Sequence, residues 1–114
     1  MNAFRYNKNL EEIILSKNLE TIYKYAFEYC ESLKKIKIPN SVTSIDDDVF
    51  MRCKNLKEIV IPDSVTTLGK RIFSGCSNLE KVVLPSNITI IPENTFYGCV
   101  KLNNVNIPSS VNDI

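Results

Sequence analysis

The feature that most limits what this chain can fold into is a period of 23 residues. Cysteines stand at Cys30, Cys53, Cys76 and Cys99. Phenylalanines keep the same step at Phe4, Phe27, Phe50, Phe73 and Phe96. So do Leu10, Leu33, Leu56, Leu79 and Leu102, and Pro39, Pro62, Pro85 and Pro108. Columns this regular point to a solenoid, in which each unit buries its apolar side chains against the next.

One unit can be read in order. LKKIKIP, LKEIVIP, LEKVVLP and LNNVNIP end in apolar alternation: Ile36 and Ile38, Ile59 and Ile61, Val82 and Leu84, Val105 and Ile107. This is a short strand with one face buried, closed by a proline that has no ladder donor. A turn follows, then a second apolar pair: Val42 and Ile45, Val65 and Leu68, Ile88 and Ile91. DVFMRC, RIFSGC and NTFYGC then predict a short helical or irregular turn that places Phe and Cys on one face. Stacked in register, the strands make one parallel sheet.

From Leu33 to Leu56, and again to Leu79, the string LxxIxIPxxVTxIxxxxFxxCxxL resembles the BspA-like class of leucine-rich repeats. The resemblance covers essentially the whole chain. It implies an α/β solenoid, right-handed, with the parallel sheet on its concave face. Short strands, turns or short helices would form the convex face. It also implies a protein-binding role, often as a surface adhesin, without enzymatic activity. The first unit departs from the pattern, with Ser16 at the proline position and Asn7 at the cysteine position. Asn18, Ser41, Ser64, Asn87 and Ser110 fill the column where common leucine-rich repeats carry Asn, so only a partial asparagine ladder is expected.

Residues 1–114 read as a single repeat domain of about five units. Phe4 aligns with Phe27 and Ile114 with Ile91, so the chain opens and stops within units. Neither end carries the polar cap that terminal repeats need. The expectation is a fragment, or ends that pair with another copy.

Composition excludes several functions. Fourteen Lys and Arg balance thirteen Asp and Glu, and the basic residues are interspersed with acidic ones, which argues against nucleic-acid partners. Histidine is absent, removing Ser-His-Asp and Cys-His catalysis and His-containing zinc sites. No catalytic residue, metal site or cofactor is expected. Asp46, Asp47 and Asp48 lack the spacing of a calcium loop and read as the start of a helical turn. No secretory leader or membrane span is legible, so the sequence as it stands reads as cytoplasmic, or as cell-surface if cut from a longer chain. Asn87-Ile88-Thr89 is a glycosylation sequon that matters only after export. The four cysteines are expected to be free, buried and slow to react.

Two columns leave the strands on the outward face. Glu12, Lys35, Glu58, Lys81 and Asn104 alternate in sign, as do Lys24, Asp47, Lys70 and Glu93 elsewhere, and such ladders are expected to fix register. Ile14, Lys37, Val60, Val83 and Asn106 form the second column. Val60 and Val83 make an apolar strip rimmed by Lys37, Lys57, Glu80 and Lys81. The candidate partner face is therefore Ile14, Lys35, Lys37, Lys57, Glu58, Val60, Lys81, Val83, Asn104 and Asn106. The partner expected there is a protein. Self-assembly through the open ends is the alternative.

Overall fold

The computed structural model describes residues 4–112. Five strands of three residues begin successive units: β1 (Glu12–Ile14), β3 (Lys35–Lys37), β5 (Glu58–Val60), β7 (Lys81–Val83) and β8 (Asn104–Asn106). Three two-residue strands lie between them: β2 (Thr21–Ile22), β4 (Ser44–Ile45) and β6 (Thr67–Leu68). All pairs are parallel, and every register step is the sequence period: Glu12 faces Lys35, Ser44 faces Thr67, and Glu58 faces Lys81. The chain is a parallel β-solenoid.

The Phe-Cys segment corrects the α/β expectation, because the described residues contain no helix. A helix would turn every amide back onto its own segment. Here alternate amides go to different units. The amides of Ala26, Glu28 and Cys30 donate to Tyr23, Tyr25 and Phe27, three residues back. The amides between them, of Tyr25, Phe27 and Tyr29, donate to Asp47, Val49 and Met51 of the next unit. The pattern recurs where Phe50 donates to Ile72 and Phe73 to Thr95. The segment is thus a run of tight turns that also serves as a ladder between units.

The first and last of these turns in each unit have positive φ at their third residue, the type II pattern. Glycine meets that need at Gly75 and Gly98, both with φ of 77°. The same column holds Tyr6, Tyr29 and Arg52, at 65°, 62° and 62°. A second left-handed column holds Tyr25, Asp48, Arg71 and Asn94. The Asp46–Asp48 run therefore lies in a turn and starts no helix. Its three carboxylates are already engaged: Asp46 accepts from the Asp47 amide, and Asp47 from the Lys70 amide, each at 2.8 Å. Asp48 accepts a forked pair from Arg71, Nε at 2.8 Å and Nη2 at 3.1 Å. Two units earlier in the stack, Arg5 and Glu28 pair at 2.6 Å.

The core is a set of vertical rows. Phe4, Phe27, Phe50, Phe73 and Phe96 stack with centroids 5.3 to 6.0 Å apart and planes within 11°. This is an ordinary separation for stacked rings. The cysteines form a second row, and their role is now specific. Each thiol donates to the carbonyl of the phenylalanine 26 residues earlier: Cys30 to Phe4 at 2.9 Å, Cys53 to Phe27 at 3.2 Å, Cys76 to Phe50 and Cys99 to Phe73 at 3.1 Å. All four are free, and three are fully buried. Cys99 is only half-buried, one correction to the expected uniform burial. Burial pushes all four thiols above their ordinary value of 9.0, Cys99 to about 11.

Two predictions follow from this packing. The native protein should give a small early labelling phase with a bulky disulfide reagent, from Cys99, while Cys30, Cys53 and Cys76 react only at the unfolding rate. Rapid labelling of all four would contradict the buried row. The raised thiol pKa values favour the protonated, folded form. That stability is complete below pH ~9 and falls as alkali ionises the unfolded chain first, by up to about 1.4 kcal/mol per thiol per pH unit. Urea titrations from pH 7 to pH 11 check this, and a flat profile would oppose it.

Gly69 yields a third prediction. A Cβ there would lie 2.3 Å from the Asp47 backbone nitrogen and 2.4 Å from the Asp46 carbonyl carbon. At Gly98 a Cβ would meet nothing closer than 3.5 Å, although φ is positive. Gly69→Ala should cost more than about 2 kcal/mol through a backbone shift, and Gly98→Ala about 1 kcal/mol through φ alone. Denaturant midpoints of the two variants test the order.

Candidate partner-binding face

The strand face is built by alternation. In β3 and β5 the middle residues, Ile36 and Ile59, point into the core while their neighbours are exposed. Lys35, Lys37, Glu58 and Val60 are thereby held outward on short, fixed rungs. Val60 is 60% exposed and Ile14 92%, whereas Val83 is half-buried.

A groove of about 1080 Å³ lies on this face. It brings together six of the ten residues expected from sequence: Lys35, Lys37, Lys57, Glu58, Val60 and Val83. Ile36, Ile38, Ile59, Ile61 and Pro62 supply its apolar lining. Ile14, Lys81, Asn104 and Asn106 do not line it. Asn106 is occupied otherwise: its Oδ1 accepts from the Leu84 amide at 2.7 Å and its Nδ2 donates to the Leu84 carbonyl at 3.4 Å. It acts as a strand extension, a use that its column position alone did not reveal. Sequence reading also missed Lys34, which lines the groove one residue before β3. Its place beside Lys57 in a 23-residue column was the available signal.

The expected charge ladder needs correction. Glu12 does face Lys35, and Glu58 faces Lys81. Yet the ion pairs among the described residues form in other columns: Lys34 with Glu11 at 3.6 Å, Lys54 with Glu31 at 3.5 Å, and the two arginine pairs of the turns. On the exposed rungs, water competes with the neighbour and two long side chains must be ordered, so proximity does not become a bond. In the other alternating column, Asp47 holds the Lys70 amide rather than its ammonium.

The single parallel sheet also needs correction. The outer strands form two ladders, β1–β3 and β5–β7–β8, with no pairing from β3 to β5 among the described residues. The groove lies over that interruption. The opposite ladder, β2–β4–β6, runs unbroken past it.

A second cluster joins Arg5 to the tyrosines that crowd the first units in the sequence; the crowding is legible there, the arginine's place among them is not. The Arg5 guanidinium sits 4.8 Å from the Tyr6 ring centre and 4.3 Å from that of Tyr25, and Tyr6 stacks on Tyr29 at 5.1 Å. Basic and aromatic residues scattered in sequence are therefore gathered here. The Arg5 charge is taken by Glu28, and the cation covers two of the rings. The strand-face groove keeps more of its chemistry available.

The comparisons agree with this architecture. A leucine-rich repeat protein from Eubacterium ventriosum superposes with a TM-score of 0.78 at 27% identity, over 88% of this chain and 33% of that one. The pneumococcal vaccine antigen PcpA gives 0.75 at 28%, over 95% and 25%. The T. pallidum leucine-rich repeat protein gives 0.70 at 26%, over 98% and 64%. This chain thus spans from a quarter to under two thirds of these structures. Among curated proteins, none matches the chain. The family model for BspA-type leucine-rich repeat regions matches residues 1–114 in six copies. The 23-residue stack, its phenylalanine and cysteine rows and this match place the chain in the BspA-type leucine-rich repeat family.

Proposed function

We propose that the chain is a non-enzymatic protein-binding module that receives its partner on the outward strand face. One observation carries this reading. The groove gathers exposed, rigidly held Val60 and half-buried Val83 with the lysines around them. Such a patch joins an apolar centre to a polar rim, the anatomy of a protein interface. A fixed backbone also lowers the ordering cost of binding.

An adhesin-like surface role fits the same picture. PcpA is a vaccine antigen, and a further neighbour from Faecalibacterium prausnitzii is a leucine-rich cell surface protein, 31% identical with a TM-score of 0.64. Among the described residues no helix is long and apolar enough to cross a membrane.

Self-assembly is the second reading. Its motivation is an apolar hollow of about 360 Å³ at the first unit, lined by Phe4, Ile13, Leu15, Leu19 and Ile22 among others. A second copy presenting Val100 and Ile107, both exposed in the last described unit, would suit it.

Val60→Glu combined with Val83→Glu separates these readings. The double variant should keep its circular dichroism and lose more than about tenfold in affinity for a captured partner, because two carboxylates would enter a desolvated contact. A partner held equally by both forms would remove the strand-face reading. A molar mass that rises with concentration in light scattering supports end-to-end assembly, and a constant monomer mass opposes it.

A further inference from the structure

The rungs of the strand face carry unequal charge. β1 and the residue before it hold two carboxylates, Glu11 and Glu12. β3 and the residue before it hold three lysines, Lys34, Lys35 and Lys37. The next rung adds Lys57, so in the column Glu11, Lys34, Lys57, Glu80, Asn103 the one step between like charges is Lys34 to Lys57. These four lysines line the groove against two carboxylates, Glu58 and Asp63. Asp63 already accepts from the Ser86 amide at 2.8 Å, and Lys34 gives its ammonium to Glu11 at 3.6 Å. No ion pair holds Lys35, Lys37 or Lys57 among the described residues. In a chain whose net charge is only +1, positive charge is thus concentrated in this one groove.

Lys37 is the most isolated of these cations. In its column it stands between Ile14, its partner in the register, and Val60, one period on. Val83 follows as the register partner of Val60. Across the rungs the column therefore runs apolar, cationic, apolar, apolar, with Ile14 92% exposed and Val60 60%. An ammonium set among apolar side chains suits a carboxylate that arrives with apolar surface on either side of it.

Spacing selects the form of the occupant. Side chains in this column follow one another at the rung spacing, about 4.8 Å. On an extended segment laid over the face, same-side residues recur at about 6.6 Å and fall out of step. On a helix lying across the rungs, positions i, i+3, i+7 and i+10 share one stripe, and ten residues rise about 15 Å. Three rung steps cover about 14 Å. We propose that the strand face docks an acidic amphipathic helix of a partner protein, laid across the rungs. Its apolar residue at i would cover Ile14, its carboxylate at i+3 would meet Lys37, and apolar residues at i+7 and i+10 would cover Val60 and Val83. Further carboxylates along one flank would meet Lys35 and Lys57. Contact is made by side chains alone, in the helix-in-groove mode. The inference rests on the strand-face reading and names the chemistry of its partner.

The test is fluorescence anisotropy on the native chain. The probe is a labelled peptide of about 14 residues, stapled as a helix because so short a segment is marginal in water. It carries Leu at i, i+7 and i+10, and Glu at i+3 and along one flank. It should bind, weaken as salt rises from about 0.05 to about 0.5 M, and lose about tenfold against Lys37→Gln plus Lys57→Gln, the factor that two favourable exposed ion pairs amount to. Lys24→Gln plus Lys70→Gln removes the same charge from exposed turns and should change binding by less than about twofold. Equal losses from the two double variants would reduce the effect to net charge and overturn the site. An unstapled peptide broken by a central proline should bind at least about tenfold more weakly, and equal binding of that peptide would overturn the helix. Absence of binding by the stapled peptide would overturn it as well. If the stapled peptide fails while Val60→Glu plus Val83→Glu still releases a captured partner, the helix proposal falls and the strand-face reading stands. If that variant keeps its partner, the strand-face reading falls and the helix proposal falls with it.

Discussion

The structure depends on backbone hydrogen bonds that run from unit to unit through the Phe-Cys turns. Tyr25, Phe27 and Tyr29 each give their amide to the next unit, and the residues between them close the local turns. This division ties each unit's shape to its neighbour's. It sets the phenylalanine rings in a continuous stack and brings each thiol to a phenylalanine carbonyl. A single unit could neither satisfy these amides nor bury these rings, so order is a property of the stack. The ladder also requires left-handed residues in every unit. Tyr25 and Tyr29 adopt that conformation without glycine's freedom, which the shared hydrogen bonds hold in place.

The strand face is subordinate to this spine. Continuity through the turns and through β2–β4–β6 keeps the units in register even where the outer strands do not pair. The fold can therefore carry a like-charge step, Lys34 beside Lys57, that a free-standing sheet would not. The result is a groove with an apolar lining and cationic walls. Those properties make it a better candidate for recognition than the tyrosine-arginine cluster, where Glu28 has neutralised the cation.

Much of this was legible in the sequence because the period fixes register. Once Leu33, Phe50 and Cys53 are known to repeat at 23, the facing of Glu58 by Lys81 and the burial of Ile36 and Ile59 follow from alternation. The turn conformation was not legible. Only Gly75 and Gly98 signal positive φ, while Tyr6, Tyr29 and Arg52 hide it in the same column. Ion pairing was misplaced because column position gives proximity but not solvation. The exposed Glu58–Lys81 step forms no bond, whereas the buried carboxylate of Asp48 holds Arg71 in a fork. The candidate face was found in part, since exposure alternates simply along a strand. The return of Asn106 onto Leu84 and the break beside Lys34 depend on three-dimensional neighbours that a single column does not contain.

Amide hydrogen exchange on the native protein tests the central claim most directly, namely that the units are joined by the turn ladder while the strand face is open at one junction. The account predicts strong protection at Phe27, Phe50 and Phe73, intermediate protection at Lys81 and Asn104, and fast exchange at Lys57 and Glu58. Protection of Glu58 equal to that of Lys81 would mean a continuous sheet, and would contradict it.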